Sequence, residues 1–269
     1  MTARPTGTKA SREPDVTGAK TRSRKPKPID KPTALNELLL NRLRDDIVYG
    51  VFALGERLSE EQISRHYGVT RAPVRPTLIK LQAEGLLHIQ PQRGAFVFNP
   101  TPHEVRALCE LRTALELEAA ELALLRNRER LVERLGTLIK KMEPYATAVA
   151  NPRYQQLDSD FHIAILEAAA SDLLLEAYVQ TVHWRFAALR FRLARQSEHA
   201  ARSFNEHRNI LNLVETDDVS GLRKALRFHI ENTNVYYESL LGKTVPSQVR
   251  DTMQKSRDDR GSPSGTAEW

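Results

Sequence analysis

The sequence has little of what secreted or membrane proteins need, since it holds a single cysteine, Cys109, and no long apolar run. One cysteine excludes a disulfide framework within the chain and favours a reducing compartment. No segment approaches the roughly eighteen consecutive apolar residues of a membrane span. The basic N-terminus also lacks the apolar stretch of a secretory signal. We therefore expect a cytoplasmic protein that does not engage a membrane.

Aromatic residues make up only 6% of the 269 residues, and the apolar residues are mostly Leu and Ala, which recur every three or four positions. This spacing predicts a mainly α-helical fold. The chain is long enough for about two domains. Its formal net charge of +6 permits an anionic partner, although charge alone does not separate nucleic acid from a membrane surface.

Both ends of the chain lack the apolar residues that a core needs. Residues 1–33 hold nine Lys or Arg against three acidic residues, together with five prolines. We predict a disordered basic tail here, which is either simply solvated or adds non-specific contacts to phosphates. Residues 243–269 are polar and are predicted to form a flexible C-terminal tail. The folded part then comprises residues 34–100 and 101–242.

Residues 34–100 carry the pattern of a winged helix-turn-helix domain, with three helices and a β-hairpin. The first helix has an apolar stripe that ends near Gly50 and consists of Leu35, Leu38, Leu39, Leu43, Ile47 and Val48. Ser59, with Gln62 three residues later, is typical of a helix start, and Gly68 supplies the turn after that helix. The stretch LLHIQPQRGAFVF alternates as two short strands.

The third helix has an ambiguous start because the stretch GVTRAPVRPTLIKL, residues 68–81, contains two prolines. If Thr70 is the N-cap, Pro76 falls inside the helix and costs about 3 kcal/mol. If the regular helix starts near Pro73, Pro76 lies in the first turn, where no hydrogen bond is lost. We favour a distorted or delayed start.

The stretch YGVFALGERLSEEQISRHYGVTRAPVRPTLIKLQAEGLLHIQPQRGAFV resembles the DNA-binding domain of GntR-family bacterial transcription regulators. The resemblance implies that the third helix enters the major groove of double-stranded DNA and that the wing touches the minor groove or the backbone. It places Thr70, Arg71 and Arg75 on the recognition helix and Arg93 and Gly94 at the wing tip. Arginine reads guanine through two hydrogen bonds, which agrees with these positions.

Two residues depart from the family's pattern. Glu61 stands where many relatives have an arginine that contacts DNA, so that contact is in doubt. Pro76 replaces the usual Glu after the second arginine, and the operator is therefore expected to differ from the family's usual one.

Residues 101–242 are predicted to form an all-α antiparallel bundle of six or seven helices. The stripe of its first helix consists of Leu108, Leu111, Leu115, Ala119, Leu122 and Leu125. Later stripes are interrupted by Asp158 and His162, one turn apart, and by His207 and His229. Inward polar residues must be hydrogen-bonded or bound to metal. For a single histidine a hydrogen-bonded core residue is the better interpretation, but the set of four suits Zn, Ni, Fe or Mn.

The segments ALCELRTALELEAAELA, LDSDFHIAIL, FNEHRNIL and LRFHI resemble, in order and spacing, the FCD effector domain of GntR regulators. The resemblance implies a metal held by Asp158, His162, His207 and His229. It also places Arg112 near the effector pocket, where the arginine either binds an organic-acid effector or forms an interhelical salt bridge.

Together these patterns predict a ligand-responsive transcription regulator, a homodimer on a palindromic operator, with repression as the family's usual mode. An open metal site could also belong to an enzyme, but no second carboxylate or nucleophile motif accompanies the four residues at a recognisable spacing. A third alternative is an architectural DNA-binding protein with a structural metal. Small-molecule binding to the bundle distinguishes that alternative from a regulator.

Overall fold

The computed structural model describes residues 32–148, 151–193 and 197–244. Nine α-helices and three short strands form the regular structure of these residues. The N-terminal domain consists of α1 (Pro32–Val48), β1 (Arg57–Leu58), α2 (Glu60–Tyr67), α3 (Val74–Ala83), β2 (Leu87–Gln90) and β3 (Gly94–Val97). The two predicted tails lie outside the described residues, except that residues 32–33 begin α1 and residues 243–244 end the last helix. None of the described helices is both long and apolar enough to cross a membrane.

The winged helix-turn-helix arrangement is confirmed. The Ser59 hydroxyl accepts a hydrogen bond from the Gln62 amide, and Gly68 ends α2 in the left-handed conformation with φ 65°, which glycine adopts without strain. The predicted hairpin forms with Ile89 opposite Ala95. The two-residue β1 adds a third antiparallel strand, in the order β1-β3-β2, which the sequence pattern did not predict.

Helix α3 shows the delayed start. Its first residue is Val74 and Pro73 is the N-cap, so Thr70 is not the N-cap. Pro76 becomes the third helical residue, whose N–H would have no partner within the helix. The first regular bond runs from the Thr77 amide to the Pro73 carbonyl at 3.3 Å. The two prolines therefore shift the helix start instead of breaking the helix.

The predicted stripe of α1 is only partly correct. Leu39, Leu43 and Ile47 are buried, but Leu35 and Leu38 are 43% and 49% exposed. The packing of α1 against the rest of the domain begins at Leu39, so the leucines of its first two turns remain outside the core.

The C-terminal domain is the predicted helical bundle. It consists of α4 (Pro102–Met142), a 3₁₀ turn (Glu143–Tyr145), α5 (Pro152–Ala168), α6 (Asp172–Tyr178), a π-helical turn (Val179–His183), α7 (Trp184–Leu193), α8 (Ser197–Glu215) and α9 (Val219–Thr244). Helix α4 packs against α5, α8 and α9.

The buried face of α4 lies about one position away from the predicted stripe. Leu111 and Leu125 are 41% and 82% exposed, whereas Arg112 and Glu116 are fully buried. A polar pair therefore occupies the centre of the buried face, and the leucine spacing alone placed that face wrongly.

A kink at Asn127 (φ −146°, ψ 37°) divides the long α4 into two helical segments. Three consecutive side chains at the kink donate to the carbonyl ends of neighbouring helices. Arg126 Nη1 donates to the Ala169 carbonyl at 2.7 Å, Asn127 Nδ2 to the Ala168 carbonyl at 2.8 Å, and Arg128 Nε to the Val214 carbonyl at 3.2 Å. These donors satisfy carbonyl groups that the helices themselves leave unpaired.

Helix α7 joins the two domains. Ala187 and Ala188 belong to the hydrophobic core of the N-terminal domain. Arg192 donates to the carbonyls of Ile47, Val48 and Phe52 at 3.1 to 3.3 Å, which closes the C-terminal end of α1. Helix α7 therefore connects the C-terminal bundle directly to α1 of the N-terminal domain.

Candidate functional site

Three helices bring the four predicted metal ligands together inside the bundle. Asp158 and His162 lie one turn apart on α5, His207 lies on α8 and His229 on α9, and all four are buried. His162 Nε2 lies 3.4 Å from His207 Nε2 and 3.3 Å from His229 Nε2. The carboxylate of Asp158 sits at the edge, with Oδ1 3.7 Å from His207 Nε2 and Oδ2 3.9 Å from His162 Nε2.

Two carboxylates orient the imidazole rings. Glu116 Oε2 lies 2.8 Å from His162 Nδ1, and Glu206 Oε2 lies 2.7 Å from His229 Nδ1. A carboxylate at this distance accepts a hydrogen bond from the Nδ1–H group and leaves the Nε2 lone pair directed into the cluster. The lone pairs of His162 and His229 then face each other at 3.3 Å, which is unfavourable unless a cation lies between them.

The electrostatic environment keeps the histidines neutral. Burial lowers the pKa of His207 to about 3 and that of His229 to about 4, with neighbouring His229 and Arg112, respectively, as the next cause. Burial, then Arg112, holds the pKa of His162 well below its usual value. Burial would raise the pKa of Asp158, but the nearby guanidinium of Arg190 lowers it overall. Neutral imidazoles and an ionised carboxylate are the forms that bind metals.

The spacing of these donors fits a first-row divalent ion. An ion with metal–nitrogen distances of about 2.05 Å holds neighbouring nitrogens about 2.9 Å apart in octahedral geometry and about 3.3 Å apart in tetrahedral geometry. The three histidines offer nitrogens that all lie within 4.8 Å of one another. Their spacing and the orientation of their lone pairs satisfy the requirements of such a site.

Arg112 lies beside the cluster, fully buried, with its guanidinium carbon 4.3 Å from the centre of the Phe186 ring. Its Nε donates to Glu116 Oε1 at 2.5 Å, and Tyr178 donates to the same oxygen at 3.0 Å. Glu116 lies on α4 itself, so this salt bridge is not the interhelical one considered from the sequence. Among the described residues, Nη1 and Nη2 of Arg112 have no hydrogen-bond partner.

The predicted DNA-binding residues all lie on the surface of the N-terminal domain. Thr70 and Arg71 precede α3, Arg75 is its second residue, and all three are exposed. Arg93 is exposed in the turn between β2 and β3, and Gly94 begins β3 with φ 105°.

Glu61 occupies the same surface as Arg71. Its carboxylate lies 3.6 Å from Arg71 Nη2 and 2.8 Å from Arg65 Nη2. An acidic group therefore faces the arginine that the sequence assigns to base reading.

Several residues of the centre were missed from the sequence. Glu116 and Glu206 contradict the expectation that no second carboxylate accompanies the metal ligands, and Arg190 Nη1 lies 2.7 Å from Asp158 Oδ2. The signal for Glu116 was its position one turn after Arg112. The signal for Arg190 was a charged residue four positions after Phe186 in a mostly apolar helix. Glu206 gave no comparable signal because it directly precedes His207.

The sequence matches two family models, "Bacterial regulatory proteins, gntR family" over residues 35–97 and "FCD domain" over residues 107–232. It is 27% identical to the Uxu operon regulator of Haemophilus influenzae over 72% of this chain and 78% of that protein. It is 25% identical to the HTH-type transcriptional repressor RspR of Escherichia coli over 73% and 86%. The fold is similar to that of E. coli McbR/YncC, with a TM-score of 0.65 at 19% identity over 77% and 98%.

Proposed function

Because the chain belongs to the GntR family of bacterial regulatory proteins and carries an FCD domain, it is a transcription regulator, and we propose that it is a repressor controlled by a metal-held carboxylate effector. The named relatives are regulators and not enzymes, so the second carboxylates of the centre do not imply catalysis. Repression is proposed because one of these relatives is named a repressor.

The observation that carries the metal proposal is the convergence of three buried, neutral Nε2 atoms at 3.3 to 3.4 Å, with Asp158 at their edge. His162, His207, His229 and Asp158 would hold the ion, which is Zn, Ni, Fe or Mn. When bound, such an ion would act as a Lewis acid and bind oxygen ligands. Among the described residues, no other three His, Cys, Asp or Glu side chains lie close enough together to hold a metal ion.

The balance of charge around the cluster favours an anionic effector. Two guanidinium groups lie beside the cluster, Arg112 paired with Glu116 and Arg190 paired with Asp158. A divalent cation held by neutral histidines and Asp158 would add positive charge to this low-dielectric site, where an uncompensated charge is costly. A small carboxylate bound beside the ion would compensate part of that charge.

Arg112 is the group that we propose contacts the effector. Its Nη1 and Nη2 are buried without hydrogen-bond partners, which is unfavourable for a guanidinium. A carboxylate that accepts from both nitrogens would form a charge-assisted bidentate contact. Glu116 holds the Nε edge, so the two outer nitrogens remain available to the ligand.

Helix α7 provides the route from the effector to DNA. Arg190 binds Asp158 through Nη1 and Ser159 Oγ through Nη2 at 2.5 Å, while Arg192 and Ala188 on the same helix contact α1. A ligand that alters the pairing of Asp158 with Arg190 would displace α7 and change the placement of the DNA-binding domain. This requires different effector affinities in the two placements.

The DNA target is proposed to be a palindromic operator bound by a homodimer in the cytoplasm. Arg71 and Arg75 would read bases in the major groove, Thr70 would support this contact, and Arg93 and Gly94 would approach the backbone from the wing. The alternative of an architectural DNA-binding protein with a structural metal predicts no response to small molecules.

A titration of the metal-loaded chain on its selected operator with a panel of small carboxylates tests this proposal. We expect at least one acid to weaken DNA binding, and Arg112→Lys, which cannot make the bidentate contact, to lose this response while keeping DNA binding. His103→Ala, at an exposed position of α4, is the control. If no acid changes DNA binding, the architectural alternative is favoured.

A further inference from the structure

The third helix, α3, presents apolar groups on its exposed face, and one of them, Pro76, stands where the family usually has Glu. Pro76 and Ile79 are exposed on α3, and Ile79 is 55% exposed. They lie on the face opposite the buried Val74 and Leu78. With the exposed Ala72 just before the helix, they form an apolar patch.

Charged side chains surround this patch. Arg71, Arg75 and Lys80, with one acidic residue, Glu60, line the same shallow depression as Ala72, Pro76 and Ile79. The rim is therefore mainly basic, and a basic rim suits the phosphates and guanine edges of DNA. The apolar centre of the patch does not suit either of these groups. It would therefore have to contact an apolar group of the DNA.

The major groove of DNA offers one apolar group to such a patch, the 5-methyl group of thymine. A glutamate at position 76 would accept a hydrogen bond from a cytosine amino group. Proline has no side-chain donor or acceptor and cannot make that contact. The substitution therefore exchanges a polar reader for an apolar one, directly after Arg75.

We propose that Pro76 and Ile79 contact the 5-methyl group of a thymine beside the base pair read by Arg75, and that they set the specificity of each half-site. This inference rests on the proposed DNA reading by α3. The occupant is duplex DNA, because the basic rim and the apolar centre share one surface of the helix that is proposed to enter the major groove.

The test uses the full chain and duplexes that it selects from a random double-stranded library. Each thymine of the selected site is replaced by uracil, which removes only the methyl group, and affinity is measured by fluorescence anisotropy at fixed salt. One methyl-sized group contributes about 0.8 kcal/mol when buried, so we expect about a fourfold loss for one replacement in one half-site.

The variants identify the residues that sense the methyl group. Ile79→Ala and Pro76→Ala remove exposed side chains, and we expect each to reduce the uracil penalty while the guanine preference at the Arg75 position persists. Leu125→Ala, at an exposed apolar site of the C-terminal domain, should retain the full penalty. The inference is wrong if no uracil replacement weakens wild-type binding or if both variants keep the penalty. Failure to select any specific duplex would instead overturn the proposed DNA reading itself.

Discussion

Replacing Glu116 with glutamine is expected to weaken both the proposed metal centre and the fold. The fully buried carboxylate accepts from Arg112 Nε at 2.5 Å, from Tyr178 at 3.0 Å and from His162 Nδ1 at 2.8 Å. Glutamine keeps the shape and one acceptor oxygen. It loses the charge, and it presents an NH₂ group either to His162 or to the Arg112 and Tyr178 donors.

The effect on the metal follows from the ring of His162. An amide NH₂ facing Nδ1 favours the tautomer that carries its proton on Nε2, which is the atom directed at the other histidines. Loss of such an outer partner lowers metal affinity by about 10-fold to 100-fold. The effect on stability arises because Arg112 loses its buried counter-charge, at a cost of about 3 kcal/mol. This corresponds to a fall of about 6 to 12 °C in Tm.

Competition with a chelator measures the metal affinity, and thermal unfolding of the metal-free chain measures the stability. Glu110→Gln, at an exposed position of the same helix, should change neither quantity. Unchanged metal affinity in Glu116→Gln would refute the assignment of Glu116 as the group that orients His162. Unchanged Tm would refute the account of Arg112 as a buried cation balanced by Glu116.

Three further predictions concern the DNA-binding surface and the kink. Arg71→Ala or Arg75→Ala should abolish specific DNA binding, measured by anisotropy, with circular dichroism and Tm unchanged; specific binding retained in both variants would contradict the assignment. Glu61→Gln should raise DNA affinity and steepen its salt dependence, since a carboxylate near Arg71 repels phosphates; lower affinity would show that Glu61 supports Arg71 instead. Arg128→Ala should destabilise the fold by about 1 to 2 kcal/mol in urea unfolding, because carbonyls at the end of α8 lose their donor; no change would mean that water replaces the arginine.

The start of α3 and the inward direction of the four candidate metal ligands could be predicted from the sequence because each depends on a local rule. Proline restricts where a helix can begin, and this rule favoured a distorted or delayed start of α3. Asp158 and His162 stand out as polar residues at core positions one turn apart. His207 and His229 interrupt apolar stripes in the same way, so their inward direction followed from helical periodicity.

The parts that could not be predicted depend on tertiary contacts. The buried face of α4 centres on Arg112 and Glu116, so hydrophobic spacing alone misplaced it. Arg112 stacks on Phe186 of α7, and Glu116 bonds to His162 of α5 and Tyr178 of α6. Leu125 is exposed where the stripe predicted burial. The strand β1 has two residues and forms only because β3 lies beside it, and the kink at Asn127 reflects the carbonyl ends of α5 and α8 that meet α4 there.

The metal content of the purified full chain, measured by inductively coupled plasma mass spectrometry after reconstitution with Zn, Ni, Fe or Mn, tests the central claim most directly. The account predicts one tightly held ion per chain in the wild type and in His103→Ala. It predicts loss of that ion in the double variant His207→Ala/His229→Ala, which removes two of the three convergent nitrogens. Absence of a stoichiometric ion from the wild type, or equal metal content in the double variant, would contradict it.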